Sequence, residues 1–199
     1  MKHLLEVYGE KKGIIKKRLN DFSKVPEDEY FYELAFCLLT PQSNAKTCDK
    51  AVQHLKAREF HKNNINPGDF INNVRFNNNK AKYLIEMKQK FPEIMNVIRT
   101  IKNPEELRIW FVENVKGIGL KEAGHFLRNI GYRNLAILDR HILKNLKKFG
   151  VIEEAPKTLT KKNYFEIEGK FKEFSKKVNI PMDELDLLFW SMETGEIFK

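Results

Sequence analysis

Apolar residues recur along this chain with a spacing of three to four, and no period-two alternation persists beyond a few residues. Glycine and proline are sparse and fall between the periodic stretches, where they act as punctuation. The pattern predicts helices over Leu4–Phe22, Asp28–Leu39, Ser43–Arg58, Pro67–Asn73, Asn78–Lys90, Phe91–Thr100 and Pro104–Val115. Four more are expected over Lys121–Ile130, Arg140–Phe149, Thr160–Val178 and Met182–Met192. Several boundaries have a local cause. Asn103-Pro104-Glu105-Glu106 supplies a cap, a proline in the first helical position and acids in the first turn. Thr158 or Thr160 caps the next-to-last helix, and Gly131 and Gly150 fit helix stops. The expected fold class is all-α.

The composition is 42% hydrophobic and 12% aromatic over 199 residues, enough for a real core and too much for wholesale disorder. A net charge of +9 makes an acidic partner the first expectation, with nucleic acid foremost. Cys37 lies in the apolar run Leu34-Ala35-Phe36-Cys37-Leu38-Leu39 and reads as a buried reduced thiol. Two cysteines without a histidine-rich neighbourhood make neither a zinc site nor an iron–sulfur cluster, so no metal site is expected. No apolar run reaches the length of a membrane span and no signal-peptide core is visible, so a cytoplasmic location without membrane contact is expected.

The most informative segment is Val115-Lys116-Gly117-Ile118-Gly119-Leu120-Lys121, with Asp139 eighteen residues beyond that last lysine. Two glycines let backbone N–H groups approach a phosphate, and the following helix aims its positive end the same way. The flanks Ile109-Trp110-Phe111-Val112 and Ala123, Phe126, Leu127, Ile130 have the spacing of two packed amphipathic helices. An ordinary helix–turn–helix corner fits this segment too. Lys121 sits at a helix mouth, where the dipole disfavours the ammonium form, as an amine nucleophile requires. Taken alone it also fits a solvated or phosphate-binding lysine. Asp139 follows an apolar run and precedes a helix, which fits an N-cap, and a cap fixes a carboxylate rigidly. Residues 63–79 hold eight asparagines together with Arg75 and Phe76, which fits either a polar loop or a DNA-facing one.

Gly117-Ile118-Gly119-Leu120-Lys121 with Asp139-Arg140-His141 resembles the helix–hairpin–helix superfamily of DNA glycosylases. The resemblance implies two helical domains with the motif at the cleft between them. One would cover residues 26–132 and end in the hairpin; the other would combine residues 1–25 and 133–199. A lysine in the place of Lys121 marks members that excise a base and then nick the strand. Lys121 would attack C1′ of the damaged nucleotide, and Asp139 would help activate it and stabilise positive charge on the sugar. Lys116, Gly117 and Gly119 would grip the DNA backbone, and His141 would meet a phosphate. Leu38–Ala45 looks like the loop in which Gln42 fills the gap left by an extruded base, with Ser43 and Asn44 beside it. Without the family, that stretch is simply a polar helix start. Val74–Ala81 resembles a second DNA-facing loop, with Arg75 and Lys80 as DNA contacts and Phe76 as a wedge near the orphaned base.

Endonuclease III and adenine-glycosylase branches carry four cysteines after the aspartate; this chain has none after Cys48. Its length leaves no room for the extra N-terminal domain of the larger eukaryotic-type enzymes. Its last residues, Leu187 to Lys199, look most like the archaeal-type (second-class) 8-oxoguanine DNA glycosylases, which end in a lysine that reaches the base pocket. Trp190 would then wall the flipped base, and Lys199 would read it with its ammonium and terminal carboxylate. The implied partner is duplex DNA containing 8-oxoguanine, met by a monomer. No redox cofactor or catalytic metal is implied, although hairpin carbonyls can hold a monovalent or divalent ion near bound DNA. Two alternatives stay open: a glycosylase for oxidised pyrimidines, and a non-catalytic DNA-binding module, which has no need of Lys121 with Asp139.

Overall fold

The computed structural model describes residues 2–199, and among these the regular structure is entirely helical. The α-helices are α1 (Lys2–Phe22), α2 (Tyr30–Leu39), α3 (Ala45–Ala57), α4 (Asn77–Thr100), α5 (Pro104–Asn114), α6 (Leu120–Asn129), α7 (Arg140–Lys148), α8 (Lys161–Val178) and α9 (Met182–Thr194). They form two compact units, a central one over Val25–Phe126 and a terminal one from Met1–Lys24 and Leu127–Lys199. The second boundary falls inside α6, ahead of the domain limit at residue 132 expected from the sequence.

In the central unit α2 is apolar on all sides, which suits a helix packed against both α3 and α4. Phe31 anchors it, with ring centroids 5.1 Å from Phe91 and 5.8 Å from Phe60. Two expected helices, split at Phe91, prove to be one. An interior proline loses a hydrogen bond and costs about 3 kcal/mol. Pro92 lies on the exposed face of α4, while Ala81, Leu84, Met87, Ile94 and Ile98 continue one buried stripe through it. Each large apolar side chain in that stripe contributes roughly 1.5–3 kcal/mol, so burial outweighs the break. The helix expected over Pro67–Asn73 shrinks to a 3-10 turn, Pro67–Phe70, capped by Asn66.

The terminal unit is organised around α9, which α1, α7 and α8 contact. Phe189 of α9 stacks with Phe149 at 5.5 Å and with Phe171 at 6.0 Å. Asp183 and Glu184 in the first turn of α9, and Asp186 just after it, are buried, each with a partner. Asp183 accepts from the Asn134 N–H at 3.1 Å, Glu184 from Tyr8 Oη at 2.5 Å and Asp186 from Arg128 Nη1 at 2.5 Å. The caps follow the sequence: Asn103 accepts from the N–H groups of Glu105 and Glu106, and Thr160 from that of Asn163.

Candidate functional site

In the central unit the hairpin joins α5 to α6, whose facing rings Phe111 and Phe126 lie 5.1 Å apart. Val115 and Ile118 are buried and fasten the turn to the core; Lys116 and Gly117 remain exposed. Gly117 has φ +85°, and a Cβ there would lie 2.6 Å from Cδ2 of Tyr83 on α4, so only glycine fits. Lys116 reaches over the same ring at 5.5 Å and pairs with Glu86 at 3.2 Å, two contacts that root the turn on α4.

Lys121 stands in the first turn of α6, partly exposed, with Nζ 2.9 Å from Oε1 of Glu122. The other oxygen of Glu122 accepts from the Gly119 N–H at 3.2 Å. A glutamate three positions into a helix that reaches back to the cap amide is half of a capping box. Glu122 therefore ties the hairpin backbone to the lysine. The spacing Gly119-x-x-Glu122 carries that signal, and the sequence reading passed over it. In this structure the Gly119 amide is engaged by the Glu122 carboxylate.

The loop between α2 and α3 presents Gln42, exposed and with φ +54°. Asn44 accepts from the Thr47 N–H at 3.2 Å and caps α3. Before α4, Phe76 is 51% exposed with φ +60°, and the Arg75 guanidinium lies 5.0 Å from its ring centre. Ser43 Oγ accepts from the Arg75 N–H at 3.1 Å. Lys80 needs a correction, because it is not a surface DNA contact. Only 5% exposed, it donates from Nζ to the Leu39 carbonyl at 2.7 Å, the Pro41 carbonyl at 2.8 Å and Ser43 Oγ at 3.1 Å. Burial pushes the Lys80 amine down, the Cys48 thiol opposes that shift, and the charge of Lys121 adds to it.

The terminal unit carries the second set of candidates. Asp139 caps α7, with Oδ1 accepting from the N–H groups of His141 at 2.8 Å and Ile142 at 2.9 Å. His141 Nε2 accepts from Arg140 Nε at 3.3 Å, and its ring meets Trp190 edge-on at 6.4 Å. After α9 the chain brings Phe198 onto Trp190 in a stacked arrangement at 6.4 Å, with Lys199 partly exposed beyond it. Thus His141, Trp190 and Phe198 form one row of rings that begins two residues after Asp139. Phe198 carried no helical pattern that could have singled it out. Asp186 lies near enough that its carboxyl responds to Asp139. Burial pushes Asp186 up to about 7, against the pull of Arg128, and the charges of Asp139 and Asp183 add to the rise.

Among the described residues no three His, Cys, Asp or Glu side chains converge as a metal site, and Cys37 and Cys48 are buried thiols not joined in a disulfide. In the hairpin the Val115 carbonyl accepts from the Ile118 N–H at 3.1 Å and the Gly119 carbonyl from the Ala123 N–H at 2.9 Å. No helix among the described residues is long and apolar enough to cross a membrane.

A two-glycine hairpin between packed helices, a lysine at the helix mouth and a rigid aspartate cap together have the make-up of a helix–hairpin–helix DNA glycosylase. The chain belongs to the Ogg-type helix–hairpin–helix family, described as 8-oxoguanine DNA glycosylase, whose profile matches residues 15–180. It is 45% identical to the 8-oxoguanine DNA glycosylase/AP lyase of Fusobacterium nucleatum, over 98% of this chain and 95% of that one. It is also similar to the crystal structure of the Methanocaldococcus jannaschii 8-oxoguanine glycosylase/lyase in complex with a 15mer DNA containing 8-oxoguanine. The TM-score there is 0.90, with 33% identity and 100% of both chains covered. The 8-oxoguanine DNA glycosylase of Thermotoga maritima aligns with TM-score 0.89 and 29% identity, over 100% of this chain and 97% of that one.

Proposed function

We infer that this protein excises 8-oxoguanine from duplex DNA and then cleaves the strand at the abasic site. The observation that carries this reading is Lys121 at the mouth of α6, tied by Glu122 to the hairpin amide, in a member of this family. The hairpin and the basic surface bind DNA without regard to sequence, so affinity falls as salt rises. The lesion is flipped out at an unstacking cost of a few kcal/mol, with Gln42 and Phe76 acting on the space it leaves. The unprotonated amine of Lys121 attacks C1′ and the bond to the base breaks, the base leaving with the electron pair and a proton. Ring opening gives a Schiff base between Nζ and C1′. Loss of a proton from C2′ then drives β-elimination, which breaks the C3′–O bond and nicks the strand 3′ to the abasic site. Asp139, held by two amides, supplies a fixed negative charge for the positive charge that builds on the sugar. Trp190 and Lys199 read the base. An ion on the hairpin carbonyls would steady the bound phosphate and takes no part in the bond changes. The enzyme works as a monomer in the cytoplasm, beside the chromosome.

A competition between duplexes carrying one 8-oxoguanine or one thymine glycol tests this reading. Faster excision of 8-oxoguanine is the expected result. Preference for the pyrimidine assigns the other substrate class, and loss of neither base marks a binding module.

A further inference from the structure

The two candidate DNA-probing residues share an unusual backbone. Gln42 and Phe76 both lie in the left-handed region, at φ +54° and +60°, which side chains bulkier than asparagine seldom adopt. Such strained residues persist only where their surroundings over-determine them. Both side chains are exposed, and Phe76 presents an aromatic ring to solvent beside the cation of Arg75. The residues next to them in the chain are what hold them. Ser43 follows Gln42, Arg75 precedes Phe76, and the Ser43 hydroxyl oxygen accepts from the Arg75 N–H at 3.1 Å across 32 positions of sequence. Beneath that bond the Lys80 ammonium donates to the same hydroxyl oxygen and to the carbonyls of Leu39 and Pro41, so all three of its protons are used within the Gln42 loop. A buried ammonium is costly unless fully paired, and Lys80 stays at 5% exposure with its three acceptors. A further bond, from Cys48 Sγ to the Leu39 carbonyl at 3.3 Å, fastens the start of the loop to α3.

We propose that Ser43 and Lys80 form a clasp that locks the Gln42 and Phe76 loops into a single probe, making both positioning residues for base extrusion rather than phosphate contacts. This rests on the DNA-repair reading above. With the clasp intact, the side chain that fills the vacated stack and the ring that wedges beside it move together. Without it, each loop samples its own conformations, and coordinated insertion is lost while the fold of the central unit remains.

Ser43→Ala removes the bridging oxygen, and Ser43→Thr keeps a hydroxyl at the same place. The probe is a duplex with 2-aminopurine next to 8-oxoguanine, whose fluorescence rises when the stack opens. Wild type and Ser43→Thr are expected to give the full rise. Ser43→Ala should give a reduced one and slow single-turnover excision by about tenfold or more, as misplacement of about an ångström does elsewhere. Gln42→Ala and Phe76→Ala should be non-additive in the wild-type background and additive in Ser43→Ala. A wild-type signal and unchanged coupling in Ser43→Ala overturn the clasp while sparing the repair reading. A threonine variant as poor as the alanine one overturns it as well. No signal from wild type overturns both proposals. Lys80→Met leaves three oxygens unserved, so its loss of function counts in support only if its circular dichroism and melting stay native-like.

Discussion

Gly117→Ala perturbs the hairpin at the point where geometry leaves least room. At φ +85° an L-residue costs on the order of 1–2 kcal/mol in backbone energy alone. The added methyl would meet Tyr83 at 2.6, 3.2 and 3.3 Å from Cδ2, Cε2 and Cγ, and Tyr83 is held on α4 with Lys116 over its ring. Overpacking of this kind costs typically about 1–3 kcal/mol, so the total is roughly 2–5 kcal/mol. Gly150→Ala isolates the first part, because φ is +69° there and nothing lies within 4 Å of the new Cβ. Urea unfolding should therefore show Gly117→Ala losing more stability than Gly150→Ala, with the difference equal to the Tyr83 contact. Tyr83→Ala removes the obstacle, so the double variant should be more stable than the two single losses summed. Equal losses at the two glycines, or strict additivity with Tyr83→Ala, would refute the steric reasoning.

The burial of Asp186 sets a pH dependence. In the unfolded chain its carboxyl loses a proton near the ordinary aspartate value of about 3.9, whereas in the fold it is held up to about 7. The stabilisation from this proton is thus fully present at the acid end and is lost as pH climbs from about 4 through about 7. Melting temperature should fall over that window in wild type and fall less in Asp186→Asn; identical slopes would remove Asp186 as the source. Deleting Lys199 should erode the preference for 8-oxoguanine over guanine in competition assays more than it weakens binding to undamaged DNA. Unchanged specificity would dismiss the tail lysine from base reading.

What the sequence made legible was local. The Asn103 cap, the Thr160 cap and the Asp139 cap each need only a residue and the amides two or three positions on, and all three stand where the pattern puts them. The hairpin was legible for the same reason, since its glycines and flanking helices are contiguous. Lys80 was misread because its partners lie 37 to 41 positions away, and nothing near it in sequence marks a lysine as buried. The partners of the α9 acids left no local signal either: Asp186 meets Arg128 58 positions away, Glu184 meets Tyr8 176 away, and a first turn of acids looks identical whether buried or solvated. Pro92 misled in the opposite way, as a local breaker overruled by the buried stripe on the far face of α4. Glu122 was within reach of a local reading, because its capping geometry depends on a spacing of three.

Borohydride trapping on a duplex carrying a single 8-oxoguanine tests most directly whether Lys121 is the nucleophile. Wild-type protein should give a covalent protein–DNA adduct of one-to-one mass, and Lys121→Gln should give none while still binding the duplex. An adduct of equal yield from Lys121→Gln would contradict the assignment and place the reacting amine elsewhere.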